Sequence, residues 1–227
     1  ITCRDWSSDV CSSDLEDISY IETLAQSWDI NIYSIYAKEK LSQNIDNAIY
    51  SLETNKDLEQ PVLTQFDWVN ILQSDLKLDE NVLNEFSSKL SKYELPHLAY
   101  LYHKFHNYRQ SVYITPYEDL LKDDTVERKS LIYAIARQES GFVPTLVSTS
   151  YALGAMQIMP FLADSLSKEF GENIHLTDMF KPEINIKYAN KHLNYLESKL
   201  THPLYISYAY NGDRKSTRLN SSHGKLS

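Results

Sequence analysis

Glu139 stands directly before Ser140 and Gly141, on the apolar side of a stretch whose spacing predicts a helix. Asp124 and Glu127 form a candidate cap pair. Leu131, Ile132, Ile135 and Ala136 follow at helical spacing, and Gly141 is a natural terminator. In that register Ile132, Ile135 and Ala136 lie seven, four and three residues before Glu139 and share its face. A carboxyl so placed is poorly solvated. Desolvation disfavours its ionised form and raises its pKa, which suits it to donate a proton near neutral pH as a general acid. The alternative is a Glu at the rim of a helix end that simply reaches into water.

Beyond this helix come Ser148, then Gly154, Ala155, Met156, Gln157, Ile158, Met159 and Pro160, and much later Ala209, Tyr210 and Asn211. Gly154 tolerates positive φ and lets the backbone come close to a ligand. Met156 and Met159 suit the filling of irregular gaps in a core. Taken together, Glu-Ser, then Gly-x-Met-Gln-Ile-Met-Pro starting fifteen residues after the Glu, then Ala-Tyr-Asn, resembles the catalytic domain of the soluble lytic transglycosylases of bacterial cell walls. The resemblance covers roughly Pro116 to Gly212. Ala155 stands where that family usually has Leu, and Leu153 where a small residue is common; both are apolar and can be absorbed by repacking.

The resemblance implies a lysozyme-like, mainly helical catalytic domain acting on peptidoglycan glycan strands in the periplasm or cell envelope. By position, Glu139 is the catalytic acid and base, and Ser148, Gln157, Met159 and Tyr210 are sugar-cleft residues. The residue types agree with those roles. An amide such as Gln157 donates and accepts at once, which suits the acetamido and hydroxyl groups of an amino sugar, and a Tyr ring offers an apolar face to a pyranose. Glycosidases ordinarily use two carboxylates. Here the acids between Glu139 and Asn211 are Asp164, Glu169, Glu172, Asp178, Glu183 and Glu197, and none stands in a motif. A single-acid mechanism is the simpler inference. In the family, one Glu protonates the bond between N-acetylmuramic acid and N-acetylglucosamine and then deprotonates the muramyl 6-hydroxyl, which leaves a 1,6-anhydromuramyl end. No cofactor, metal or second carboxylate is required. A lysozyme-like hydrolase, or a module that binds glycan without cleaving it, are the other functions compatible with these residues.

The elements that position these groups are helices throughout, so the fold class is all-α. Pro160 opens a helix ended by Gly171, and another starts near Pro182, with Ile186, Ala189, Leu193, Leu196 and Leu200 as its buried stripe. Residues 16–115 form a succession of short amphipathic helices, a superhelix or bundle segment preceding the catalytic domain at 116–212. Ile18, Ile21 and Leu24, then Ile32, Ile35 and Tyr36, then Val62, Phe66, Val69 and Leu72, then Leu83 and Phe86, then Leu98, Leu101, Tyr102 and Phe105 mark their apolar stripes. His103 and His106, with His97 nearby, lack a carboxylate at matching spacing and are expected on a solvated polar face rather than at a metal.

The two ends of the chain do not read as protein-coding sequence. The DNA word GATCGGAAGAGCACACGTCTGAACTCCAGTC encodes Asp213 to Ser222 on one strand and, read on the other, Asp5 to Asp14. It resembles a sequencing adapter, so residues 1–15 and 213–227 are set aside as adapter-derived. Cys3 and Cys11, the only cysteines, go with them, leaving neither disulfide nor thiol chemistry. Removing five of 22 basic and four of 31 acidic residues leaves 17 against 27, a net charge of −10. Such an acidic chain is a poor nucleic-acid binder, and no apolar run approaches the ~18 residues that span a bilayer. Protein partners are not readable from the sequence.

Overall fold

The computed structural model describes residues 18–46, 48–74, 79–106 and 111–212, so the two expected adapter-derived ends lie outside the described residues. The chain divides into two compact units. One comprises the residues up to Val62 with Asn70–Ile114; the other comprises Leu63–Val69 with Thr115 onward.

The first unit is built from short helices, as the apolar spacing predicts: α1 (Ile18–Ala25), α2 (Ile32–Lys40), α4 (Glu80–Ser87) and α5 (Leu95–Phe105), with α3 (Gln65–Gln73) at the division between units. A two-residue parallel pair, β1 (Ala48–Ile49) with β2 (Ser111–Val112), adds a strand contact that the helical pattern does not announce. Two expectations are corrected here. Ile32, Ile35 and Tyr36 are exposed, and the buried face of α2 is Ser34 and Ala37 instead. The cause is local: Asn31 accepts from the amides of Tyr33 and Ser34, while Ser34 Oγ accepts from Asn31 N and donates to Asp29 O. That capping box turns Ser34 inward, and Ala37 one turn on packs with Ile21 and Ala25. Phe66 is likewise exposed rather than part of a buried stripe.

A third correction concerns His97, which is buried in α5 rather than on a solvated face. Leu98 and Leu101 are buried beside it, whereas His103 and His106 are half-buried, with His106 Nδ1 2.9 Å from Tyr102 O. Below it Glu94, also buried, accepts from Ser91 N at 2.8 Å, Ser91 Oγ at 3.0 Å and Val62 N at 3.1 Å. Burial pulls the His97 imidazole down to about 4, and the nearby Glu94 charge only partly opposes it.

The second unit holds α6 (Val126–Ser140), α7 (Pro160–Phe170), α8 (Pro182–Glu197) and α9 (203–212). Helix α6 starts one residue later than the Asp124–Glu127 pair suggests: Thr125 is the cap, its hydroxyl accepting from Arg128 N at 3.3 Å. At its other end Gly141 takes the left-handed conformation at φ 59°, and Phe142 N bonds back to Ala136 O at 3.3 Å. Helix α7 ends on Gly171 in the same way. Arg128 ties the start of α6 to the end of α8 through Glu197 at 3.0 Å.

Between α6 and α7 the chain folds into an irregular, largely buried loop whose centre is Gly154 at φ 80°. A Cβ there would lie 2.3 Å from Met179 O and 2.5 Å from Asn185 Nδ2, so both the conformation and the space require glycine. Ala155 and Leu153, the two departures from the family pattern, are both buried in this loop.

Two outcomes follow from these placements. Because folded His97 binds its proton only near pH 4 while an unfolded histidine binds it near 6.5, the unfolded chain takes up the proton first as pH falls. Stability therefore drops between pH ~6.5 and ~4, by about 3 kcal/mol from this group, and denaturant unfolding should show that drop reduced in His97→Gln. The same measurement should separate two glycines: Gly141→Ala, with nothing within 4 Å of its new Cβ, loses about 1 kcal/mol, while Gly154→Ala loses more than ~3 kcal/mol.

Candidate active site

Glu139 occupies the last turn of α6 and is 9% exposed, on the same buried face as Ile132, Ile135 and Ala136. Its placement on the apolar face, rather than at a solvated rim, is therefore as the spacing predicts. The next residue, Ser140, turns its hydroxyl toward the loop and donates to Ala155 O at 2.6 Å. That bond joins the helix end carrying the acid to the turn at Gly154.

The loop is held by few regular backbone pairs. Leu153 and Ile158 exchange two hydrogen bonds of 2.9 Å, Ser148 N bonds to Ala152 O at 3.0 Å, and Gly154 N bonds to Leu146 O at 3.0 Å. Side chains supply the rest. Ser148 Oγ accepts from Ala152 N at 2.9 Å and Ser150 N at 3.3 Å, which leaves its own proton available to donate. Tyr210, from α9, donates to Met156 O at 2.9 Å. Asn185, from the first turn of α8, accepts from Met156 N at 2.7 Å and donates to Leu153 O at 3.0 Å.

Gln157 has a narrower role than an amide free at both ends. Its Nε2 donates to Leu146 O at 3.2 Å and Gly154 O at 2.9 Å, so the donor side braces the loop. Oε1 is buried without a protein partner and is the side left to meet a donor. Met159, half-buried, is the N-cap residue of α7. Thus Ser148, Gln157, Met159 and Tyr210 all lie on, or bond to, the one loop that Ser140 joins to Glu139.

Backbone strain concentrates at the same place. Phe142, Tyr151 and Gln157 all have positive φ (69°, 63° and 51°), an uncommon conformation for side chains of this size. Phe142 is held there by its own burial, by the ring of Tyr133 at 6.2 Å and by the Tyr117 hydroxyl, which donates to Phe142 O at 2.9 Å. Burial keeps both phenols protonated: the Tyr117 hydroxyl is pushed up, and that of Tyr133, with help from the Glu118 charge, to about 12.

The acids that follow Glu139 have other occupations. Asp164 pairs with Lys168, Glu169 with Lys191, Asp178 with Lys181 and Glu197 with Arg128; Glu172 pairs with Lys187 and accepts from Tyr188 Oη; Glu183 is exposed. The Lys187 hydrogen bond holds Glu172 below the usual carboxylate range, and the Lys181 bond does the same for Asp178. Among the described residues no group of three or more His, Cys, Asp or Glu is placed to hold a metal ion.

Sequence reasoning missed two residues here. Asn185 and His192 fall on the buried stripe of α8 among Ile186, Ala189, Leu193 and Leu196, and a polar residue inside such a stripe is the signal that could have found them. His192 is buried with its ring 5.4 Å from that of Tyr210. It also lines a groove of about 510 Å³ between α7 and α8, with Leu162, Leu166 and Tyr195; Glu139 does not line this groove.

Residues 122–225 match the Transglycosylase SLT domain family. Over 202 residues the chain is 27% identical to the soluble lytic murein transglycosylase of Escherichia coli K12, covering 83% of this chain and 31% of that protein. Over 168 residues it is 28% identical to the soluble lytic murein transglycosylase of Salmonella typhimurium, covering 70% and 26%. The chain thus spans between a quarter and a third of the length of these curated relatives. The crystal structure of the 70 kDa soluble lytic transglycosylase from Escherichia coli superposes with a TM-score of 0.59 at 22% identity, covering 89% of this chain and 36% of that one. Its complex with bulgecin A superposes with the same TM-score, covering 92% and 38%. These likenesses establish the shared, mainly helical fold. Residues 122–225 thus resemble a transglycosylase SLT domain, and the chain shows homology to the soluble lytic murein transglycosylases.

Proposed function

We propose that this chain is the catalytic part of a lytic transglycosylase. It cleaves the β-1,4 bond between N-acetylmuramic acid and N-acetylglucosamine in peptidoglycan and leaves a 1,6-anhydromuramyl end. The observation that carries this proposal is the contrast among the acids. Glu139 alone of the carboxylates from residue 139 to 211 is buried, and its neighbour Ser140 bonds directly to the Gly154 turn; the others are exposed or paired with cations or a phenol. The names of the homologous proteins support the same substrate class.

The reaction starts from the protonated carboxyl. Glu139 gives its proton to the glycosidic oxygen as the bond from that oxygen to the muramyl C1 breaks. The muramyl 6-hydroxyl oxygen then bonds to C1, and its proton passes to the Glu139 carboxylate, which restores the acid. Atoms balance without water, and no second carboxylate, metal or cofactor is needed. Ser148 donates to the sugar, and Gln157 accepts through Oε1, the atom its loop bonds leave open. Met159 supplies apolar contact, and Tyr210 binds through its ring, since its proton is held by Met156 O. The action belongs to the cell envelope and, within it, the periplasm, where the glycan strands lie; no helix among the described residues is long and apolar enough to cross a membrane.

Mass spectrometry of muropeptides released from purified peptidoglycan tests this directly. Products one water lighter than hydrolysis products are expected, and Glu139→Gln should lower their rate on the order of a thousand-fold. Reducing muramic acid ends would instead establish a hydrolase, and binding without release would establish a glycan-binding module.

A further inference from the structure

Asn185 is 0% exposed and spends both halves of its amide on one turn. Oδ1 accepts from Met156 N at 2.7 Å, and Nδ2 donates to Leu153 O at 3.0 Å. The two bonded residues flank Gly154, whose missing Cβ would lie 2.5 Å from Nδ2, so the amide lies close against the glycine backbone. The task requires a planar, uncharged group with one acceptor and one donor on a single methylene, and asparagine meets all of those terms.

What the turn carries makes this bond pair consequential. Ala155 O receives the hydroxyl of Ser140, the residue after Glu139; Met156 O receives that of Tyr210; Gly154 O receives the Gln157 amide. A displacement of Met156 would therefore pass to the acid's helix end, to Tyr210 and to the open oxygen of Gln157 together. We propose that Asn185 is a positioning residue for glycan cleavage. Its amide sets the Leu153–Gln157 turn against the helix end that bears Glu139, and turnover, more than substrate affinity, depends on it. This rests on the function proposed above.

Asn185→Asp and Asn185→Leu separate positioning from bulk packing. A protonated Asp reproduces the amide, its carbonyl oxygen accepting from Met156 N and its O–H donating to Leu153 O; an ionised one has no donor and faces a carbonyl with a charge. Leu fills the space and can do neither at any pH. Relative to the parent chain at each pH, Asn185→Asp should lose kcat on the order of a hundred-fold near pH 8, with KM within about two-fold. It should return to within about three-fold of the parent near pH 4.5, while Asn185→Leu stays low throughout. Hydrogen exchange at the Met156 amide reads the same bond without substrate. Protection should be lost in Asn185→Leu and kept in Asn185→Asp, whose carboxyl oxygen accepts from Met156 N whether or not the group is ionised. Unchanged Met156 protection in Asn185→Leu, or a relative activity of Asn185→Asp that does not move with pH, would overturn the proposal. A parent chain that releases no anhydro product would sink the proposed function, yet the exchange data would still judge the Asn185 contacts on their own. Should Asn185→Leu fail to fold, the pH response of Asn185→Asp decides the matter.

Discussion

A buried loop must find partners for its peptide groups, and the turn from Leu153 to Gln157 cannot find enough of them within itself. Each amide or carbonyl left unpaired there would cost about 1–3 kcal/mol. The solution is borrowed from three helices: Ser140 at the end of α6, Asn185 at the start of α8 and Tyr210 in α9 each satisfy a backbone group of the turn. The same bonds that keep the loop from being an energetic liability fix where its side chains lie relative to Glu139. Stability and site geometry are one constraint here, and Gly154 is the residue that lets the helices come close enough to meet it.

The surrounding charges keep that arrangement distinct. Lysines on α7, on α8 and before α8 pair with Asp164, Glu169, Glu172 and Asp178 at the surface, where each pair is worth little in stability. Their consequence is chemical: those carboxylates have cationic partners, and the carboxyl in the last turn of α6 lies among Ile132, Ile135 and Ala136. Glu94 in the first unit shows that burial alone does not mark a catalytic acid. It is less exposed than Glu139, and its two oxygens accept from Ser91 and Val62 as the cap of a 3-10 turn.

The legible parts of the chain were those where one residue type does one local job. Gly141 and Gly171 end helices because they accept positive φ, Pro160 and Pro182 open helices because φ is already set, and three-and-four spacing marked the stripe of α8. Where two neighbouring residues could serve, the local signal slipped by one: Thr125, not Asp124, caps α6. In α2 large apolar residues suggested the buried side, yet the capping box around Ser34 and the small size of Ala37 put the other side inward. His97, six residues from His103, was grouped with it by proximity in sequence, whereas its place beside Leu98 and Leu101 puts it in the interior.

By itself, the sequence determined that this chain is helical, that an acid ends one helix on its apolar face, and that Gly-Ala-Met-Gln-Ile-Met-Pro and Ala-Tyr-Asn accompany it at the spacing of a known family. These are properties of local conformation and of ordered residue types, which a linear string carries. Only the tertiary structure decided that Gln157 spends its donor on the loop and keeps an acceptor, that the Tyr210 hydroxyl is taken by Met156, and that Asn185 holds the turn from 29 residues away. Hydrogen-bonding capacity belongs to a residue type. Which half of it remains for a substrate depends on which backbone groups the fold buries beside it.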